Sequence, residues 1–366
     1  MARIAGIDVY LHVTFLLLLA YFAFVGWQGA GGIGALFFAT LVILLFGCVL
    51  LHEFGHAFAG RFYGINTPDI TLLPIGGVAR MDKMPDQPME EMVVALAGPM
   101  VNVVIALGLG LVMLVSGILN VGLLLSAFSG NLNAFPNLPT ALLHILLLNN
   151  VILVVFNLVP AFPMDGGRVL RALLAMTMPF PQATQLAAAI GKTLAIGFAV
   201  IGLLYSPMLI LLAAFVFIGA QQEARSVQLR SMTNGVGIRE VLITHFKSLS
   251  PHASLHDAID ALLSSYQHDF PVVDESGRYL GLLTRTEMLG SVRQSGFDIE
   301  VAMIMRRDIQ PVPLSIQLEE AMQRLEAETV SALPVVDTFG RVIGLLASEN
   351  ISEMVLVREA ISGSGR

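Results

Sequence analysis

The feature that most constrains this chain is a succession of long apolar runs in its first 225 residues. A helix needs about 20 apolar residues to cross a bilayer, where no water is present to satisfy an open backbone. Six runs approach or exceed that length: 10–28, 34–60, 92–116, 138–160, 187–204 and 206–222. The last two are close enough to read as a tight hairpin. Segment 117–137 is apolar but broken by Gly, Asn and Pro, and reads as a loop or re-entrant piece. The expected fold is a polytopic α-helical membrane protein of about six transmembrane helices, with a separate soluble segment behind it.

Charge separates the two parts. Residues 1–225 hold 8 Lys/Arg and 9 Asp/Glu, whereas residues 226–366 hold 12 and 18. The first part is oily and the second is an ordinary, mildly acidic soluble segment. Neither is basic enough to take nucleic acid as a partner. Cys48 is the only cysteine, which excludes an intrachain disulfide. The N-terminus does not read as a signal peptide, because Arg3 is its only early charge and no A-x-A site follows. The eight basic residues of the membrane part are Arg3, Arg61, Arg80, Lys83, Arg168, Arg171, Lys192 and Arg225. With six spans and both termini inside, all of them fall on the cytoplasmic side. The connections around 28–33, 117–137 and 204–207 contain no Lys or Arg. The expected location is the cell membrane, multi-pass, with cytoplasmic N- and C-termini.

The second run contains His52-Glu53-Phe54-Gly55-His56. Residues four apart share a helix face, so both imidazoles can reach one zinc ion, with Glu53 beside the water such an ion holds. Zinc lowers the pKa of that water to about 7 and the glutamate accepts the proton. Unpaired, two His and a Glu inside a membrane helix cost several kcal/mol, so a functional partner is the default reading. Two His leave zinc short of a ligand. The acidic residues available are Asp8, Asp69, Asp82, Asp86, Glu90, Glu91, Asp165 and Glu223. Asp165 stands out, because Pro160 and Pro163 break the end of the fourth span just before it and can turn its carboxylate inward. Asn102 reads mainly as a helix-packing residue, Cys48 as a small core residue, and His12 and His144 as interfacial or interhelical. The β-prone stretch from Ile70 to Ala79 reads either as a surface hairpin or as an edge that pairs with an unwound substrate strand.

His52-Glu53-x-x-His56 on an early span, Asn157-x-x-Pro160-x-x-Pro163-x-Asp165-Gly166 on a later one, and Ala97-Gly98-Pro99-x-x-Asn102 between them resemble the site-2 protease family of intramembrane metalloproteases. Leu73-Pro-Ile75-Gly-Gly-Val-Ala-Arg80 also fits that family. The resemblance implies one zinc (Zn2+) per chain, ligated by His52, His56 and Asp165. Glu53 would be the general base, and Asn157 would hold the substrate carbonyl or its oxyanion. It also implies regulated intramembrane proteolysis of a membrane-embedded protein, such as an anti-sigma factor or a sigma-factor precursor.

The soluble part contains a repeat. Phe270-Pro-Val-Val-Asp274 through Gly281-Leu-Leu283 recurs as Leu333-Pro-Val-Val-Asp337 through Gly344-Leu-Leu346, at a constant offset of 63 residues. Each copy follows an amphipathic stripe, Leu255, Ala258, Ile259, Leu262 and Leu263 in the first and Leu318, Ala321, Met322 and Leu325 in the second. The pattern resembles a tandem pair of CBS domains, an α+β module at 241–296 and 297–360 behind a linker at 223–240 with Asn234-Gly235. The membrane domain would then be 1–222. The resemblance implies a cytoplasmic module that binds ATP, ADP or AMP, or that dimerises the chain. The ligand positions would be Thr284 and Glu287 in copy one and Asn350 in copy two, where Ala347 lacks the hydroxyl. The competing reading is a CBS-regulated membrane transporter or channel, which would also place acidic and His residues in the bilayer.

Overall fold

The structure is a computed structural model that describes residues 2–74, 76–81, 87–233 and 236–363. Ile75, Asp82, Lys83, Asp86 and the Asn234-Gly235 pair lie outside the described residues. The chain divides into two compact units, Met1–Arg225 and Ser226–Arg366.

In the first unit, β1 (Ala2–Ile4) and β2 (Ile7–Leu11) precede α1 (Val13–Phe62), which leads to β3 (Asp69–Leu73) and β4 (Gly76–Arg80). The helices α2 (Pro88–Val115), α3 (Val121–Phe128), α4 (Leu138–Asn157), α5 (Asp165–Ala175), α6 (Phe180–Tyr205) and α7 (Pro207–Thr233) follow. Five described helices are long and apolar enough to cross a membrane: α1, α2, α4, α6 and the Pro207–Gln228 part of α7. The first is two spans in one. Its helix breaks at Ala30 and at Gly31, whose φ of 59° is a left-handed value open to glycine. Ring contacts between Phe22 and Phe38 and between Phe15 and Phe46 show that the two arms run antiparallel. The six apolar runs are thus accounted for. Segment 117–137 contains the short helix α3, capped by the Asn120 side chain.

The N-terminal strands were not legible in the apolar pattern. The four strands form one sheet in chain order, with β2 parallel to β3 across α1 and the other pairs antiparallel. Ile7, Val9 and Ile70 on one sheet face bury themselves against Phe54 and Ala57 of α1. Those two residues flank His56 on the same arm, so the sheet is anchored beside the His52/His56 turns.

In the second unit, α8 (Leu255–Leu263), β5 (Phe270–Val273), β6 (Tyr279–Leu283) and α9 (Arg285–Ser295) form the first repeat. After α10 (Val301–Ile304), the second follows as β7 (Val312–Pro313), α11 (Leu318–Glu328), β8 (Ala332–Val336), β9 (Val342–Ala347) and α12 (Ser348–Gly363). The repeats exchange their leading segments. Ile243 pairs with Leu345 of the second copy, and Arg306 pairs with Leu282 of the first, a relation that obeys the sequence offset. Neither copy completes its sheet alone. Asp269 ties them further, its Oδ2 accepting from the Ser331 and Ala332 amides at 2.8 and 3.2 Å. The stretch 223–240 begins as helix, since α7 continues to Thr233, and Val236, Ile238 and Val241 are buried in the second unit's core. At the start of α8, Ser254 and Asp257 form a capping box, and the Ser254 bonds hold the Asp257 carboxyl below its ordinary pKa.

Arg171 is the largest fully buried side chain among the described residues. Its Nε donates to Glu91 Oε1 at 2.8 Å, Nη2 bonds the same oxygen, and Nη1 donates to Glu223 Oε1 at 2.5 Å. The guanidinium carbon lies 5.0 Å from the Phe162 ring centre and 4.9 Å from that of Phe180. One side chain therefore joins α2, α5, α7 and the loop that leads into α5. Arg171→Ala would leave the buried Glu91 carboxylate and the half-buried Glu223 uncompensated and should destabilise the protein by about 3–5 kcal/mol. Unfolding of the purified protein in detergent reads this directly, and unchanged stability would show that the triad is not a structural tie.

Candidate metal centre

His52, Glu53 and His56 sit on the second arm of α1, and Asp165 opens α5. α4 stops at Asn157, and the loop through Pro160 and Pro163 returns the chain so that Asp165 faces the two imidazoles. Its Oδ2 lies 3.3 Å from His52 Nε2 and 3.2 Å from His56 Nε2, and the two Nε2 atoms are 3.1 Å apart. All three residues are buried, at 6%, 4% and 7% exposure, deep enough that solvent cannot offset an unpaired charge.

The outer edges of the imidazoles decide what this cluster can hold. His56 Nδ1 lies 2.7 Å from the Val94 carbonyl, which only accepts, so Nδ1 carries the proton and Nε2 presents a lone pair. His52 Nδ1 lies 2.6 Å from Asn102 Oδ1, the same arrangement. With each neutral ring protonated at Nδ1, two imidazole lone pairs and a carboxylate oxygen converge. Such a donor set repels itself unless a cation sits between, and two nitrogens with one oxygen suit zinc. Three residues of α2 make the approach, at positions 94, 98 and 102 on one face. A Cβ on Gly98 would overlap His56 Nε2 and come within 2.8 Å of His52 Nε2, so glycine is needed there. That is the physical content of the Ala97-Gly98-Pro99-x-x-Asn102 motif.

Glu53 is half-buried beside the cluster. The backbone of β4 passes over it, since a Cβ on Gly77 would come within 2.6 Å of Glu53 Cγ. Within the Ile70–Ala79 stretch, β3 and β4 pair antiparallel, and β4 is an edge of the sheet. Asn157 ends α4 half-buried, and its side chain has no hydrogen bond among the described residues. The other described acidic candidates for which a partner is seen are engaged elsewhere: Asp69 with Arg80, Asp8 with Arg3, and Glu91 and Glu223 with Arg171. Asn102 lies against the centre instead of serving packing alone. Asn150, fully buried and bonded to Asn102, was missed, because one Asn in an apolar run carries no spacing signal. Cys48 is buried, 3.4 Å from Asn150 Nδ2. Of the interfacial and interhelical places expected for His144, its full burial excludes the interfacial one. His12 caps the N-terminus of α1.

In the second unit, a cavity of about 490 Å³ is lined by residues that include His245, Lys247, His268 and Asn350. Thr284 and Glu287 do not line it. The Thr284 hydroxyl bonds the Glu287 carboxylate and caps α9.

The model of peptidase family M50 matches residues 40–200, and the CBS domain model matches residues 238–293 and 300–356. A zinc metalloprotease of Methanocaldococcus jannaschii is 37% identical over 282 residues, 77% of this chain and 76% of that protein. A Synechocystis protein described as a zinc metalloprotease is 28% identical over 338 residues, 88% of this chain and 84% of its own. A solved site-2 protease from M. jannaschii is 41% identical, covering 61% of this chain and 94% of that chain, at a TM-score of 0.43. The chain belongs to the M50 family of zinc metalloproteases, the site-2 proteases, in the form that carries tandem CBS domains.

Proposed function

We propose that this membrane zinc metalloprotease holds its zinc with His52, His56 and Asp165, uses Glu53 as general base, and cleaves peptide bonds in or near the transmembrane helices of other proteins. The observation that carries this reading is the convergence of three bare acceptors beside Glu53 inside the membrane unit. Zinc bound there supplies Lewis acidity and a water whose pKa falls to about 7. The Glu53 carboxylate takes the proton of the attacking water and returns it to the departing amide nitrogen. Asn157, its amide uncommitted, donates to the substrate carbonyl as charge grows on it. A substrate helix must unwind to be cut. The free edge of β4 offers its backbone to the extended segment and sets it over Glu53. Family membership removes the basis for the transporter or channel reading.

The same reading extends to the rest of the chain. The absence of Lys and Arg from the connections at 28–33, 117–137 and 204–207 favours cytoplasmic termini. The substrate is then a membrane-tethered regulator of the anti-sigma or sigma-precursor kind. The CBS pair binds an adenine nucleotide in the cavity beside Asn350, whose volume suits a small ligand and whose Lys247 and His268 suit phosphate. It also offers a surface for homodimerisation. To regulate, the nucleotide must prefer one arrangement of the 223–240 connection over another.

Glu53→Gln should retain zinc and lose about 10²–10⁴-fold in cleavage of a cognate transmembrane segment. Normal cleavage by that variant would remove Glu53 from the mechanism. Asp165→Ala should lower the zinc content of the purified protein, as His56→Ala should, and metal analysis reads both without an activity assay. Undiminished zinc in Asp165→Ala would assign the third ligand elsewhere. For the second unit, AMP, ADP or ATP should raise the melting temperature of the full chain. Asn350→Ala should weaken that binding roughly 2–15-fold while Thr284→Ala leaves it alone. The reverse ranking would move the nucleotide to the opposite cleft.

A further inference from the structure

We infer that Asn150 is a positioning residue for zinc: it holds Asn102 in the one orientation that keeps His52 in its metal-binding tautomer. The inference rests on His52 being a zinc ligand.

An imidazole binds metal through a bare nitrogen, so His52 can offer Nε2 only while its proton is on Nδ1. Nδ1 faces Asn102, 2.6 Å from Oδ1. An amide side chain is nearly symmetric in shape. Turned over, Asn102 would present its NH₂ to Nδ1, draw the proton to Nε2, and aim a hydrogen at the other ligands. Something must therefore fix which end faces His52.

Asn150 supplies that constraint. Its Nδ2 donates to the Leu146 carbonyl at 2.9 Å, and its second hydrogen faces Cys48 Sγ at 3.4 Å. A backbone carbonyl only accepts, so the NH₂ of Asn150 must point there and its Oδ1 must point the other way. That Oδ1 lies 2.9 Å from Asn102 Nδ2. A reversed Asn102 would set two carbonyl oxygens against each other at that distance. Asn102 is locked with Oδ1 toward His52, and Nδ1 must carry the proton. The direction of the chain starts at a fixed backbone carbonyl on α4, crosses α2 and ends on α1. Both asparagines are fully buried, so no water substitutes for either link. Partners that orient a metal-binding histidine typically contribute 10–100-fold in metal affinity.

The test uses full-length protein in detergent, with cobalt(II) as the metal probe, read by its visible absorption and by titration. Asn150→Leu keeps the branched side-chain skeleton but removes its hydrogen bonds and frees Asn102 to turn over. Its cobalt affinity should fall about 10–100-fold. Adding Asn102→Asp to that variant should restore affinity to within a few-fold of the parent, because a carboxylate has no donating end to present. A packing role for Asn150 predicts no such rescue, since a second polar change in the same spot would only add to the damage. Parental affinity in Asn150→Leu, or a double variant as weak as the single one, would overturn the inference. His56→Ala is the control for the underlying ligand assignment. If it binds cobalt as the parent does, the ligand reading fails; if it loses the metal while Asn150→Leu does not, only the relay fails. Should Asn150→Leu not fold, nitrogen-15 resonances of His52 in the metal-free parent decide the matter. A protonated Nδ1 supports the relay, and a bare Nδ1 refutes it.

Discussion

Three electron-rich atoms facing one another inside a membrane protein form the constraint on which the rest of the first unit depends. His52, His56 and Asp165 lie within hydrogen-bond distance of one another, an arrangement that a shared cation or proton must hold together, and a bilayer cannot solvate them if they move apart. Each must therefore be carried on a rigid element and braced from behind. The second arm of α1 holds the two imidazoles a turn apart, and α2 braces both through Val94 and Asn102 while yielding space at Gly98. The proline-rich loop after α4 turns Asp165 into the cluster. Arg171, one and a half turns further along α5, ties that helix to α2 and α7.

The sheet serves the same centre from another side. Its buried face packs on Phe54 and Ala57, so β4 crosses Glu53 in a defined register. An edge strand is normally a liability because its backbone groups seek partners. In this sheet the edge strand is the one that lies over Glu53, close enough that a Cβ on Gly77 would come within 2.6 Å of Glu53 Cγ.

The second unit follows a different economy of construction. Two copies of one motif exchange leading segments, so that the first copy's sheet is closed by Arg306 and the second's by Ile243. Exchange makes the pair, not the single copy, the folding unit. Divergence then breaks the symmetry: Asp269 reaches across to Ser331 and Ala332, while the residue at its equivalent place in the second copy is Ala332 itself. Thr284 is occupied with Glu287 as a cap, and a cavity of about 490 Å³ opens at the Asn350 side.

Much was legible before any coordinates. Apolar run length announces membrane helices, because a backbone in lipid must satisfy itself locally. A four-residue His spacing announces a shared face, and a repeat announces itself by identity at a constant offset. Asp165 was legible for a similar reason, since prolines act on the backbone within a few residues. What depends on neighbours distant in the chain was not legible. The fusion of the first two runs into one broken helix, the strands before it, the contacts of Asn102 and Asn150 behind His52, and the cavity beside Asn350 are all of that kind. An isolated Asn in an apolar run looks alike whether it packs, caps or orients a ligand. Only the approach of α2 and α4 to α1 gives it a partner, and hydrogen bonds across helices are set by that packing rather than by spacing along the chain.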